Sequence, residues 1–406
     1  MNMTTVARIV GWVIAGALLA GCAPVRPGAA PLPAPTAAPV VAPADAPAPT
    51  PTLLPREDPP AGATAEFTTD FRKHIVPYHE ILSGGPPKDG IPALDHPHFV
   101  GVAHADRWLA PHEPVIAVQI GDDARAYPVQ ILVWHEIVND TVGGVPIAVS
   151  YCPLCNTAIA FERTVQGRVL NFGTTGRLHF SNLIMYDRQT ETWWQQATGQ
   201  AIAGALTGTQ LVYRSTALLS WAAFKAAHPN GRVLSRATGY TRPYGENPYA
   251  GYDATNQQPF LYAGPTTPHA LPPMARVLTM DLHGDAVAYP FALLQKVHVV
   301  DDTVGKTAVV VLWTPGTASP LDAATIAGGR DVGSATAYQR DVAGRRLTFA
   351  FAGGRIVDKQ TGSVWTALGR AIRGPLAGAA LQPVVAVNHF WFSWAAFRPR
   401  TRIYHL

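Results

Sequence analysis

Cysteine is scarce in this 406-residue chain, which holds three, at positions 22, 152 and 155. That number excludes a disulfide-dense scaffold, and without a second Cys pair it excludes a closed four-thiolate zinc site. Charge is scarce as well: Asp, Glu, Lys and Arg make up 14% of the residues, with a formal net charge of +4. No Lys/Arg-rich run occurs, so no nucleic-acid partner is expected. A Walker motif, a dinucleotide fingerprint, a serine-hydrolase elbow and a helical pair of metal-binding histidines are all missing. What is abundant is apolar side chain, 48% of the residues, enough for a substantial core.

The N-terminus sets the expected compartment. Arg8 precedes an apolar run, Ile9 to Leu18, and then Leu19-Ala20-Gly21-Cys22. The run is too short for a membrane span and ends in small residues, as a secretory signal does. The residues before Cys22 match a lipobox. Residues 1–22 are therefore expected to be a lipoprotein signal peptide, with Cys22 lipid-modified and the protein extracytoplasmic, anchored to the membrane. From 23 to 65 the chain is mostly Ala and Pro, which favours extended polyproline geometry and reads as a tether of roughly 100 Å. Only Cys152 and Cys155 then remain as thiols, in a compartment where disulfides form.

An internal repeat organises the rest. Residues 115–155 align without gaps onto 277–317, with 14 of 41 positions identical. Further matches pair Asp187, Thr190 and Trp194 with Asp358, Thr361 and Trp365, and Ser220–Phe224 with Ser393–Phe397. The segments expected are a first repeat with its N-terminal extension over 66–236, a Gly/Pro/Tyr-rich connector over 237–274 and a second repeat over 275–406. Runs of β-branched residues at Val115–Ile120, Ala124–Pro128, Ile147–Tyr151, Ala158–Val165 and Val169–Phe172 read as strands, and Leu218–Ala227 as a short helix. The fold class expected is α+β, predominantly antiparallel β, built as a tandem duplication of a β-rich unit with short helices.

The repeat also serves as a control. Residues present in both copies are explained by the fold, whereas residues confined to one copy are candidates for a site. Cys152 and Cys155 become Thr314 and Thr317, His135 becomes Val297, Glu136 becomes His298 and Met185 becomes Ile356; the segment Arg177–Asn182, with His179 and Asn182, is deleted. Any chemical site thus belongs to the first copy.

The residues after Cys155 read as a strand, which disfavours a thioredoxin-like pair opening a helix. A strand–Cys-Pro-x-Cys–strand turn resembles a rubredoxin or zinc-ribbon knuckle. Zinc would need two further ligands, for which His135 and His179 are candidates. Met185 makes a copper site conceivable, since soft sulfur favours Cu(I). Cys152 alone as nucleophile would need a base, for which His135 and Glu136 are at hand. An unreactive structural disulfide in a non-catalytic binding or scaffold protein is the remaining reading. Lys88 and Asp89, in a Gly/Pro-rich loop lacking from the second copy, are candidates for lining a pocket.

His135-Glu136-x-x-Asn139-Asp140, Tyr151-Cys-Pro-Leu-Cys-Asn-Thr157, Phe172-Gly-Thr-Thr-Gly176, Ser181-Asn-Leu-x-Met-Tyr-Asp-Arg-x-Thr190, Gly84–Pro92 and Asn247-Pro-Tyr-x-Gly-Tyr252 together resemble the domain-of-unknown-function family 3179. The resemblance covers most of 70–260. It implies no activity, but within the family pattern the first cysteine is the steadier feature. It therefore directs attention to Cys152, His135, Asn182 and Met185.

Overall fold

The apolar runs of the first half form hairpins that add up into sheets. The strands Pro114–Ile120 and Asp123–Pro128 pair from Val115↔Pro128 to Ile120↔Asp123. A short helix, Val129–His135, leads into a second hairpin, Ile137–Val142 with Val145–Cys152. Thr157–Glu162 pairs with the far side of Val145–Cys152, making that strand central and buried. A longer hairpin, Phe172–His179 with Asn182–Asp187, follows and lies in a separate five-stranded sheet. This computed structural model describes residues 52–254, 256–266 and 270–406. The signal-peptide expectation over 1–22, Cys22 and most of the expected tether lie outside the described residues.

The fold is α+β and mostly antiparallel. The parallel pairings are Arg232–Leu234 with Asp123–Pro128 and Arg402–Ile403 with Asp285–Pro290. The same order of elements recurs in the second half: Arg276–Leu282, Asp285–Pro290, a helix Phe291–Val297, Val299–Val304 and Thr307–Thr314. Side-chain bonds recur with it. Asp187 accepts from Thr190 N at 2.7 Å and from Trp194 Nε1 at 3.0 Å; Asp358 accepts from Thr361 N at 2.6 Å and from Trp365 Nε1 at 3.0 Å. Gly143 and Gly305 sit at φ 53° and 51°, each donating its N–H to the aspartate of the facing turn, Asp123 or Asp285, at 3.0 Å. A Cβ there would lie 2.4 or 1.9 Å from a carbonyl oxygen, so glycine is required twice.

Three expectations are corrected. The helix expected over Leu218–Ala227 begins at Trp221, because Ala217–Ser220 is held as a strand against Pro114–Ala117. The tether was expected to reach residue 65. Instead Leu54 N donates to His74 O at 2.9 Å, and Ala63 is fully buried in one cluster with Phe67, Phe71 and Trp193. Finally, Ser220–Phe224 and Ser393–Phe397 are not structural equivalents. Ser220 pairs with Pro114 and Phe390 with Arg276, while Trp221 N and Trp391 N donate to Glu113 O and Ala275 O. The ladder thus sets Trp221 against Trp391, and Ser393 stands where the first half has Ala223. Matching letters had shifted the alignment by three residues; backbone pairing decides it.

The two aspartate knots give a direct test. Asp187→Ala and Asp358→Ala each leave a buried tryptophan N–H without its acceptor. Each is expected to lower unfolding stability by about 2–4 kcal/mol, read by urea denaturation. A loss confined to one half would contradict the equivalence of the two bonds.

Candidate functional site

The turn carrying the cysteines is fixed by its own residues. The central strand ends at Cys152, Pro153 opens a single 3₁₀ turn through Cys155, and Asn156 takes a left-handed conformation (φ 50°, ψ 40°) that sends Thr157 back in register with Cys152. Asparagine tolerates that conformation better than most residues. Both sulfurs consequently lie on one side, 2.8 Å apart, as free thiols. An S–S bond would require about 2.05 Å. Both are buried, at 1% and 0% exposure. The Cys155 thiol donates to Ser181 O at 3.3 Å. Burial pushes Cys155 well above the usual thiol range and the neighbouring Cys152 sulfur adds to it; the Ser393 hydroxyl and the Leu183 N–H against the sulfur pull the other way.

The wall beside Cys155 is the hairpin tip that the second half lacks. Its two turn residues, Phe180 and Ser181, both have positive φ (51° and 63°), at a cost of about 1–2 kcal/mol each for non-glycine residues. That conformation turns the Ser181 carbonyl toward Cys155. Asn182, fully buried, accepts from Ser393 Oγ at 2.9 Å and donates to Phe180 O at 3.1 Å. Met185 and Leu183 share one apolar cluster with both cysteines.

The roof comes from the connector. Tyr252 donates its hydroxyl to Leu154 O, between the cysteines, at 3.1 Å, and its phenol lies within electrostatic range of both thiols. Tyr249 lies likewise in range of Cys152 and of Glu136. The second half holds this roof in place. Asn247 donates from its backbone and side chain to Ala324 O and Ala323 O, Gly251 N donates to Asp322 O, and buried Asp253 accepts from Arg276, Ser319 and Arg330.

Glu136 is the most unusual acid here. Its backbone is left of the helical region (φ 55°, ψ −31°), and its carbonyl accepts from Tyr151 N at 2.8 Å. His298 has nearly the same angles (61°, −30°) and accepts from Trp313 N at 2.8 Å. The backbone device is common to both halves; the carboxyl is not. Buried at 7% exposure, with no side-chain hydrogen bond or ion pair among the described residues, the carboxyl is pushed by burial up to about 8.

Other candidates are placed elsewhere. His135 engages Pro92 O at 2.7 Å through Nδ1 and Tyr244 Oη at 2.6 Å through Nε2, and burial lowers its pKa. His179 engages Gln195 at 2.9 Å and Glu80 at 3.0 Å. With both nitrogens of each ring occupied, the structure does not assemble the set Cys152, Cys155, His135 and His179. Among the described residues no group of three or more His, Cys, Asp and Glu is arranged to hold a metal ion. Lys88 pairs with Glu191 and donates to Glu66 O; Asp89 accepts from Tyr186 and Arg188. Lys88 thus ties the loop to Glu66 and Glu191, and Asp89 ties it to Tyr186, Arg188 and, through its N–H, Thr174 O at 3.0 Å; the loop runs against Gly176, where φ is 69° and a Cβ would sit 1.9 Å from Pro86 O.

Sequence comparison between copies missed Ser393, because the three-residue misalignment disguised it as shared. It also passed over Tyr249 and Tyr252, although both stand in a quoted motif. Their role needed the path of the connector. The arrangement provides two adjacent buried thiols among apolar side chains, with Tyr249 within electrostatic range of both Cys152 and the high-affinity carboxyl of Glu136.

Glu136 makes stability depend on pH. Its folded pKa lies above the unfolded value near 4.5, so the folded state holds the extra proton. The stabilisation this gives is present below about pH 4.5 and is lost as pH rises toward 8. Glu136→Gln is expected to flatten that decline by a few kcal/mol between pH 5 and 8, measured by urea denaturation at each pH. An unchanged slope would show that the carboxyl is ionised without cost.

The sequence profile described as "Protein of unknown function (DUF3179)" matches residues 88–401, from the clamped loop of the first half to the end of the second. No curated protein and no solved structure matches the chain. The match runs well past the expected 70–260, and both halves that build the thiol chamber fall within it: the chain belongs to the DUF3179 family.

Proposed function

We propose that the chain is a lipid-anchored extracytoplasmic protein that performs thiol–disulfide exchange at Cys152 and Cys155. The observation that carries this reading is the pair of free, adjacent sulfurs 2.8 Å apart at the end of a central strand. Closing the bond would need a shift of less than 1 Å from that separation, given about 2.05 Å for S–S. Conversion of both residues to threonine in the other half supports a role beyond the fold. That both halves descend from one duplicated unit belongs to the same proposal, supported by the matched aspartate knots.

The chemistry follows from the proton affinities. Burial holds Cys155 as the neutral thiol, which leaves Cys152 as the attacking sulfur. The ionised fraction of Glu136, whose carboxyl lies near 8, has the affinity to accept a thiol proton at neutral pH. The Cys152 thiolate attacks one sulfur of a partner disulfide and releases the other as a thiol; Cys155 then displaces the partner from Cys152. The net change is one S–S bond formed here, one broken in the partner, with two electrons and two protons passed to it. A second reading, soft-metal binding, is favoured by Met185 in the same cluster.

Oxidised glutathione distinguishes these readings. Cys155→Ser is expected to accumulate a glutathione adduct on Cys152, whereas the unmodified chain ends as an internal disulfide without adduct and Cys152→Ser forms none, all by intact mass. Thiols that stay unreacted in the folded chain, yet react on denaturation, would sink the exchange reading and leave a scaffold with inert cysteines. Stoichiometric copper in protein purified without added metal would favour the metal reading instead.

The anchor has its own test. In detergent phase partitioning the full chain is expected in the detergent phase and Cys22→Ser in the aqueous phase. Equal partitioning of the two would overturn the lipid anchor.

A further inference from the structure

A second feature lies behind the thiol chamber, in a cavity of about 410 Å³ between the strand Arg276–Leu282 and the first-half residues Ala197 and Tyr213. Its walls are mainly apolar and aromatic, with Tyr213, Met280, Val387, Trp394 and Phe397 among them. Its size falls within the range of small-molecule sites. At the rim Arg398 is paired with Asp281 at 3.0 Å, so neither charge is left to recruit an ion.

One polar group in the wall is not satisfied. His389 is 1% exposed and its ring forms part of the cavity lining. Nδ1 contacts Thr157 Oγ1 at 2.8 Å, and Nε2 has no hydrogen-bond partner among the described residues. Thr157 has one hydroxyl hydrogen, for which Cys155 O at 3.2 Å and His389 Nδ1 at 2.8 Å compete. We assign it to Cys155 O, which makes Nδ1 the donor across the 2.8 Å contact and leaves Nε2 with its lone pair. Burial pushes the imidazole pKa down to about 3, keeping that lone pair free of a proton. A buried acceptor left without a donor is unfavourable, and a ligand donor would relieve it.

The fold itself does not call for this histidine. In matched register, Val277↔His389 corresponds to Val115↔Leu219, so the first half fills the same place with an apolar side chain. Ser393, also on the cavity wall, likewise replaces Ala223. Polar groups were placed on this wall in one half only.

We propose that this cavity binds a neutral, largely apolar small molecule of the phenol class, whose hydroxyl donates to His389 Nε2. The aromatic walls accept the ring, and the lone pair on Nε2 selects a donor and repels an anion. This site stands apart from the thiol reading and is tested without it.

Calorimetric titration of the full chain with 2-naphthol, 2-methoxynaphthalene and 2-acetylnaphthalene decides the matter. The naphthol is expected to bind saturably at one site, roughly tenfold tighter than the methoxy analogue, which has the same ring and no donor. His389→Leu, with the residue of the equivalent position, should remove that preference and keep ring binding. Val385→Trp, filling the cavity from its edge, should abolish binding of all three, and serves where His389→Leu fails to fold by circular dichroism. Absence of saturable binding, equal affinity for the naphthol and its methyl ether, or naphthol binding untouched by Val385→Trp would each overturn the proposal. Tighter binding of the ketone would overturn the assigned tautomer, and the donor class with it.

Discussion

The register of one strand governs the site. Val145–Cys152 is paired on both edges, with Ile137–Val142 on one side and Thr157–Glu162 on the other. Side chains alternate between faces with period two, so a slip of one residue would send both Cys152 and its neighbours to the wrong face. The bond from Tyr151 N to Glu136 O pins the same strand beside Cys152 and fixes the backbone from which the Glu136 carboxyl projects. Because His298 and Trp313 make the same bond, the scaffold is a property of the fold. The thiols and the carboxyl are additions to it.

Those additions are costly ones. Among the described residues, a carboxyl without a partner, two buried thiols and an imidazole nitrogen without a donor are all buried in this part of the fold. Burying polar groups without compensating bonds is unfavourable, and such groups concentrate where chemistry or binding uses them. The second half has Thr314 and Thr317 where the thiols stand, and the first half has Leu219 where His389 stands. That contrast argues for use more strongly than burial alone, since the same backbone tolerates the simpler side chains.

The second half supplies a wall of a site that belongs to the first and holds the connector roof over it. Its segment from Ala323 to Arg330 fastens the Tyr249–Tyr252 roof, while Ser393 and His389 close the chamber from behind. The site is therefore not contained in either half by itself.

Much was legible in the sequence. Alternating apolar runs and turn glycines marked the hairpins, since period-two patterning and positive φ are local demands. The repeat separated Asp187 and Trp194, which hold the fold, from Cys152, Cys155 and Glu136, which the fold does not need. Local pattern did not foresee the helix Val129–His135, where β-branched residues follow a proline and tertiary packing overrides propensity. It also could not see that His135 and His179 turn their nitrogens to Tyr244, Glu80 and Gln195, because hydrogen-bond partners many residues apart are chosen by packing.

The sequence by itself determined the strand–Cys-Pro-Leu-Cys–strand turn, the confinement of its thiols to one copy and the glycines on which the turns depend. Only the tertiary structure decided what surrounds the thiols: Ser393 and not its apparent equivalent, Tyr249 and Tyr252 as roof, and His389 facing a cavity. The physical reason is separation along the chain. Residues 136, 152, 249 and 393 are brought together by sheet register and by a clamped connector, and neither leaves a periodic trace in the sequence.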